Sequence, residues 1–539
     1  MVFGFATLSL SAQTAPVLLA QNGRAIALES PTMNAEPFSV QSKVVWSSDT
    51  RTRIMLFCQN VSNVATVNGI DMLGESHSLL VEFVGQLQDE PDLNFVVVIL
   101  PRELDGAGEL SVSITANGIQ SNSAKIDVSW LDSHNAEIKT LADWNAANLQ
   151  EPSVSVWPDS SGNHNDAIQP DPAKQPTIST DGGKSVSFGA SGYLKFPELT
   201  NVRIVQAVIK YDLSLDDTAD LPPIVGHLSN YTWSGSEGTH IFGMNTSAAV
   251  MQGRAFWNST PIPPTQICKP SQGFAVLTFA ANADTVLDLI GSDRLGHFLK
   301  GNIVRLILYS GNATNFQLQT LANSLTSQYQ FPQLPVVVAE GSSIVADQPM
   351  YLGGSNTSWA THLMRKLPAK LGPYQTFNLA FGGQPTSQIV ANFSHDILPI
   401  ANIQASRKLL IVQEGINDLV KIPGPTTAQD AYNNFVALAK LGKQTGFDVV
   451  ITTVTPFDLS SLNRDTSEFE PKRLELNSLL RANAPLVNFT VCDIASDPRL
   501  TDPNNSDYFA PDKVHFKPAG AEVIADLITD CVHASVLSR

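Results

Sequence analysis

The rhythm of apolar and polar positions changes at Pro335. Before it, short runs rich in β-branched and aromatic residues recur at 44–61 (VVWSSDTRTRIMLFCQNV), 78–87 (SLLVEFVGQL), 93–101 (LNFVVVILP) and 108–118 (GELSVSITANG). Asp, Gly, Asn and Pro punctuate them, which predicts short strands joined by turns. Such spacing predicts an antiparallel β-sandwich over residues 1–132. Residues 133–332 are again mostly β in pattern. After Pro335 the runs are apolar at consecutive positions: 335–339 (PVVVA), 376–380 (TFNLA), 408–414 (KLLIVQE), 448–456 (DVVITTVTP) and 488–495 (NFTVCDIA). Strands apolar on both faces belong in a parallel sheet covered by helices. Between the third and fourth runs, Ala431, Phe435 and Leu438 share one helical face. Thr426 and Gln429 predict a capping box there, and Gly446 a stop. A last helix is predicted from Ala519 to His533. Residues 333–539 therefore read as a three-layer αβα, doubly wound domain with a parallel sheet. Such sheets carry their sites beyond the carboxyl ends of the strands.

At 539 residues the chain exceeds a single core and suits three domains. With 43% hydrophobic and 15% charged residues it reads as folded, globular protein. A net charge of -17 argues against nucleic-acid or anionic-membrane partners and favours a neutral or polar substrate. No apolar run is long enough to span a bilayer. The N-terminus, MVFGFATLSLSAQTAP, is apolar but lacks Lys or Arg before the apolar stretch. It is a poor signal peptide, readable as the remnant of one or as a first strand. Low charge and many Asn, Ser, Thr and Gly residues suit a secreted, periplasmic or cell-surface protein. Four cysteines do not make a disulfide scaffold. Cys492 and Cys531 either pair or stay as small buried apolar residues.

In the first region, the stretch from Arg51 to Phe57 resembles immunoglobulin-like modules, which implies a spacer or adhesion role. In the second, Trp157, Asp159, Ser161, Gly162, Asp166 and Ala167, with Phe188-Gly189 following, resemble the start of a concanavalin-A-like (LamG-type) jelly roll. That resemblance implies either polysaccharide binding or a structural jelly roll without ligand. Asp159, Asn163 and Asp166 suit calcium with loop carbonyls or, equally, turn chemistry.

Four short blocks in the last region carry the chemistry: Gly341-Ser342-Ser343-Ile344, then 378–383 (NLAFGG), then Gly415-Ile416-Asn417-Asp418, then Asp512-Lys513-Val514-His515. The first three fall just past predicted strand ends. A serine hydroxyl needs a base within hydrogen-bond reach to attack at neutral pH. His515 fits that base, and later the acid that protonates a leaving alcohol. Asp512, three residues earlier, fits the carboxylate that fixes the tautomer and stabilises the imidazolium. The backbone N–H groups of Ser343 and Gly383 and the side-chain amide of Asn417 fit the donors to a tetrahedral oxyanion. Gly383 suits a main chain that must approach substrate with no side chain in the way. Each block alone would more often be a turn, a cap or an ordinary histidine; the ordered set is specific.

These blocks resemble the SGNH (GDSL) hydrolase family, whose Ser, Gly, Asn and His correspond to Ser343, Gly383, Asn417 and His515, with Asp512 as the acid of its Asp-x-x-His block. The resemblance covers roughly 335–539 and implies a flavodoxin-like αβα fold. It also implies cleavage of carboxylic esters, including acetyl groups on polysaccharides, with no metal or organic cofactor. One departure stands out: the family's first block usually reads Gly-Asp-Ser, and here Ser342 replaces the Asp. Ser343 keeps the nucleophile's register, and Ser342 is expected to hydrogen-bond. His362, His395 and His533 are expected to be structural or exposed, and Glu414 a pocket wall or a buried polar residue. The leading expectation is deacetylation of a carbohydrate such as acetylated xylan. The alternatives are a general short-chain carboxylesterase or lipase with structural β-domains, and a binding or adhesion protein with a degenerate hydrolase domain.

Overall fold

The three-dimensional structure is a computed structural model. It describes residues 15–30, 32–42, 49, 51–61, 65–71, 75–87, 90–129, 138–150, 152–212, 221–236, 238–243, 245–313, 315–346, 358–420, 427–460 and 466–535. The chain divides into two compact units, Met1–Ile138 with Gly311–Leu321, and Lys139–Ser310 with Ala322–Arg539.

The first unit is β-rich. In Arg53–Gln59 every second side chain is buried, placing Ile54, Leu56 and Cys58 in the core and their neighbours outward. This strand pairs antiparallel with Glu90–Ile99, which pairs with Ser76–Leu87; Ala65–Ile70 and Ala124–Ser129 flank Gly108–Ala116. Of the run expected at 44–61, Arg53–Gln59 forms a strand, and 43–48 and 50 lie outside the described residues. So does the N-terminal stretch 1–14.

The second unit holds another β-rich region followed by the parallel sheet. Its long central strand, Leu194–Tyr211, runs antiparallel to Ala275–Ile290 on one side and Gly301–Ser310 on the other. Trp157 is wholly buried. The Asp159 carboxylate accepts from the backbone N–H groups of Asp143, Ser161 and Asn165 and from the Ser161 hydroxyl. Asp166 accepts from Asp159 N, and the Asn163 amide donates to the carbonyls of Thr140 and Leu141. All three side chains are engaged in ordering the turn.

The C-terminal sheet has five strands: β1 Val336–Gly341, β2 Gln375–Asn378, β3 Lys408–Gln413, β4 Asp448–Thr452 and β5 Thr490–Cys492. Their order is β2-β1-β3-β4-β5, all parallel. Every residue of β1 and β2 is buried, including the polar Glu340, Gln375, Thr376 and Asn378. Besides a single helical turn at Leu398–Ala401, the described helices of this part are α1 Trp359–Leu371, α2 Thr386–Asp396, α3 Ile416–Val420, α4 Ala428–Gln444, α5 Glu470–Val487 and α6 Pro518–Ser535. α1 packs on α6, and α4 packs on α2 and α5. Right-handed crossovers put these two groups on opposite faces of the sheet. The chain reverses its direction of progress between β1 and β3, so residues after those strands meet at the switch point.

Two local expectations are corrected or decided. A capping box of α4 is made by Thr427 with Asp430, one residue along from the Thr426 and Gln429 expected; Thr426 lies outside the described residues. Asp430 N donates to the Thr427 hydroxyl, and Thr427 N to the Asp430 carboxylate. Gln429 instead donates to Asn433 one turn along. Cys492 and Cys531 are disulfide-bonded, tying β5 to α6. The β-rich region and the parallel sheet of this unit share one core: Trp257 meets Phe377 of β2 edge to face, and Gln375 donates to the Lys269 carbonyl.

Candidate active site

Three loops past β1, β2 and β3 build the site. At the end of β1, a Cβ on Gly341 would lie 2.2 Å from the Gln413 carbonyl oxygen of β3, so only glycine lets the two strands close there. The chain then turns at once, with Val345 N and Ala346 N donating to the Ser342 carbonyl at 2.9 and 2.8 Å. This single turn presents Ser343 at the sheet's carboxyl edge. The second loop is sewn alongside: Leu379 N donates to the Ala339 carbonyl, and Phe381 N to that of Gly341. Gly383 follows with φ of +80° and nothing within 4 Å of where a Cβ would stand. The left-handed backbone therefore adds a second reason for glycine, beside the open approach.

The fourth block reaches over this edge. His515 Nε2 lies 2.8 Å from Ser343 Oγ, and Nδ1 lies 2.5 Å from Asp512 Oδ2. Asp512 Oδ1 accepts from the backbone N–H groups of Val514 and His515, both at 3.0 Å. The loop is tight: Lys513 has φ of +59°, and Ala510 N donates to the His515 carbonyl. Lys513 Nζ pairs with Asp458 at 2.8 Å. Partial burial of Asp512 resists ionisation, but the hydrogen bonds from the imidazole and the two backbone N–H groups outweigh it and hold the carboxyl down at about 2. An ionised partner favours the tautomer with the proton on Nδ1, which leaves Nε2 free to take the serine proton.

Beneath the surface, three buried carboxyl groups link the loops in pairs. Glu340, at the end of β1, accepts from Gln384 of the second loop at 2.7 Å. Glu414, after β3, accepts from Asn417 N at 2.9 Å and from the Ser342 hydroxyl of the first loop. Asp418 accepts from Thr386 N and Oγ1, at 2.9 and 2.5 Å, at the start of α2. Burial pushes the Glu340 carboxyl well above the usual range. Burial first, and then the Asp418 charge, push Glu414 up to about 7.

All five expected residues lie on this edge, but their order of contact is uneven. Ser343, His515 and Asp512 touch in series. Gly383 belongs to the loop sewn to Ser343, and the Asn417 side-chain amide lies 3.5 Å from the Gln384 carbonyl of that loop. Glu414, left open between pocket wall and buried polar residue, is the latter. Glu340 and Asp418 were not foreseen. Their one signal is an acidic residue inside an otherwise apolar strand run, or next to a strand end. His395 does have an acid beside it, Asp396 at 2.6 Å, but its ring is exposed. Away from this domain, Asp71, Glu75 and His77 bring metal-type ligand atoms within 4.8 Å of one another. Asp71 and His77 are already bonded to each other at 3.1 Å.

Residues 339–523 match the GDSL-like Lipase/Acylhydrolase family, and this span holds all five residues. No curated protein matches the chain. Among solved structures the chain is similar to a GDSL-like lipase from Bacteroides thetaiotaomicron VPI-5482, at 19% identity over 39% of this chain and 96% of that one, with a TM-score of 0.30. It is similar to a candidate acylhydrolase from Bacteroides fragilis NCTC 9343, at 21% identity over 39% and 94%, TM-score 0.30. A candidate SGNH hydrolase from Slackia heliotrinireducens is 16% identical over 37% of this chain and 100% of its own, TM-score 0.28.

Proposed function

We propose that residues 333–539 are a serine ester hydrolase that works through an acyl-enzyme. The reading is carried by the Asp512–His515–Ser343 series, at 2.5 and 2.8 Å. Ser343 Oγ attacks the ester carbonyl while His515 Nε2 takes its proton. The tetrahedral oxyanion is met by Ser343 N–H, Gly383 N–H and the Asn417 amide, each worth ~3 kcal/mol in such sites. Collapse expels the alcohol, which leaves with the proton from His515. Water then attacks the acyl-serine, gives a proton to His515, and the acid departs as that proton returns to Ser343.

The substrate we favour is an acetylated carbohydrate such as xylan. The GDSL-like match and the two β-rich regions ahead of the domain support it. We read those regions as an immunoglobulin-like module (1–132) and a concanavalin-A-like module (133–332). A secreted or periplasmic location is supported by the Cys492–Cys531 disulfide, which persists in oxidising compartments. The test is direct. A fluorophosphonate should label the protein at Ser343, and acetylated xylan should release acetate. Ser343→Ala should lose labelling and at least ~10³-fold in kcat. Full turnover by Ser343→Ala would end the mechanism; turnover of p-nitrophenyl acetate without acetate release from the polymer would end the carbohydrate reading alone.

A further inference from the structure

A cavity of about 400 Å³ opens at the amino-terminal edge of the parallel sheet, opposite Ser343. Val336 and Gln375, the first residues of β1 and β2, line it. β1 is six residues long, which at ~3.3 Å per residue puts Ser343 on the order of 20 Å away. Trp257 and Asn258, at the turn of an antiparallel hairpin, supply another wall. The last wall is the segment that leads from the β-rich region into β1.

The lining is chemically selective. No Asp, Glu, Lys, Arg or His lines it, although charged residues make up 15% of the chain. The cation that reaches the aromatic wall, Lys210 with its Nζ 5.8 Å from the Phe274 ring centre, is already paired with Asp181, which disfavours a phosphate or carboxylate ligand. Phe274, Phe331 and Tyr329 stand in near-parallel planes: Phe274 and Phe331 are 5.4 Å apart at 23°, and Tyr329 and Phe331 are 6.0 Å apart at 16°. The polar groups are of both kinds. Asn258 Oδ1 accepts from Val276 N, leaving its NH₂ to donate. Gln375 gives its NH₂ to the Lys269 and Thr376 carbonyls, leaving its oxygen to accept. The Thr326 hydroxyl, also in the wall, is buried and meets no partner among the described residues. A buried hydroxyl left unpaired costs about 1–3 kcal/mol.

We propose that this cavity is a binding site for an uncharged sugar unit. A sugar hydroxyl both donates and accepts, which suits an amide NH₂, an amide oxygen and a hydroxyl placed around one cavity. Its C–H groups suit the aromatic ladder. The site goes beyond the hydrolytic reading and does not depend on it. It would hold one part of a glycan chain remote from the reacting edge.

The experiment titrates the full-length Ser343→Ala protein calorimetrically with xylotriose, cellotriose and diacetylchitobiose, and with trigalacturonate and adenosine as controls. At least one neutral saccharide should bind saturably. Phe331→Ala, made in the same background, should weaken that binding at least tenfold, and Thr326→Val about fivefold. In a protein that keeps Ser343, both substitutions should leave p-nitrophenyl acetate turnover within twofold, so a failed hydrolase and a failed sugar site give different results. If Phe331→Ala does not fold by circular dichroism, Thr326→Val carries the test. No saturable binding of any neutral saccharide, tighter binding of trigalacturonate or adenosine, or binding that the folded variants do not weaken would overturn the proposal.

Discussion

Ser342 stands where the first block of the SGNH (GDSL) pattern usually has an aspartate, and the structure supplies a carboxyl from elsewhere. Glu414 reaches the Ser342 hydroxyl from the loop after β3 and takes Asn417 N with the same group. One buried acid thus ties the turn that carries Ser343 to the backbone of Asn417. Its pKa, pushed up to about 7 by burial and by Asp418, has a defined sign for stability. Between its ordinary value of 4.5 and about 7 the native state holds a proton that the unfolded chain has lost, so stability falls as pH rises through that window and levels off above it. The size is about 3 kcal/mol. Glu414→Gln should therefore flatten the loss of stability between pH 5 and 8 in urea melts; an unchanged slope would remove Glu414 as its source. Asp512 runs the other way. Held down at about 2, it contributes stability above its ordinary value that is lost only as pH falls toward 2. At neutral pH the role we propose for it is orientation: Asp512→Asn should lower kcat by about 10⁴-fold with little change in KM, as expected when the imidazole takes the wrong tautomer. The series of contacts was legible because the Asp-x-x-His spacing and the strand ends mark it. Of the three buried acids, Glu414 was an open reading and Glu340 and Asp418 were not legible, because which loop a carboxyl faces is set by folding, not by its neighbours in the chain.

The three central strands, β1, β3 and β4, were legible for a physical reason: burial on both faces favours consecutive apolar residues, and little else in a chain does. Their ends were less so. PVVVA reads as a strand of 335–339, yet β1 continues through Glu340 and Gly341, because Gln384 satisfies the one and the missing side chain admits the other. Gly341→Ala should force β1 and β3 apart where they carry Ser343 and Asn417. It should cost several kcal/mol of stability, and activity should fall further than the folded fraction does. The disulfide was one of two open readings, since sequence distance says nothing of whether Cβ atoms converge. Closing 39 residues between β5 and α6 is worth about 4 kcal/mol in a chain-entropy account. A Cys492→Ser/Cys531→Ser protein should lose stability of that order in denaturant melts, and a mild reductant should do the same to the parent.

The pattern change at Pro335 suggests a boundary, but the packing on either side of it is continuous. Trp257, on the β-rich side, is buried against Phe377 in the middle of β2, and one core cluster runs from Ala142 to Val532. Gln266 donates to the His395 carbonyl and to Asp396, and Gln272 to the Met364 carbonyl, so polar groups are matched across the same join. Two architectures that share a core unfold together, because separating them exposes the apolar surface of both. The first unit, by contrast, has a core cluster of its own. Calorimetry of the full chain should therefore give two transitions, the larger covering residues 139–310 together with 322–539. Trp257→Ala removes a buried indole at the join and should cost ~3–5 kcal/mol. The decisive observation is where that cost falls. It should lower the larger transition as a whole and leave the smaller unmoved. A split of the larger transition into a stable parallel-sheet part and a melted β part, with a protease cutting between residues 329 and 334 to release an active fragment, would show that the join is only a contact between independent domains.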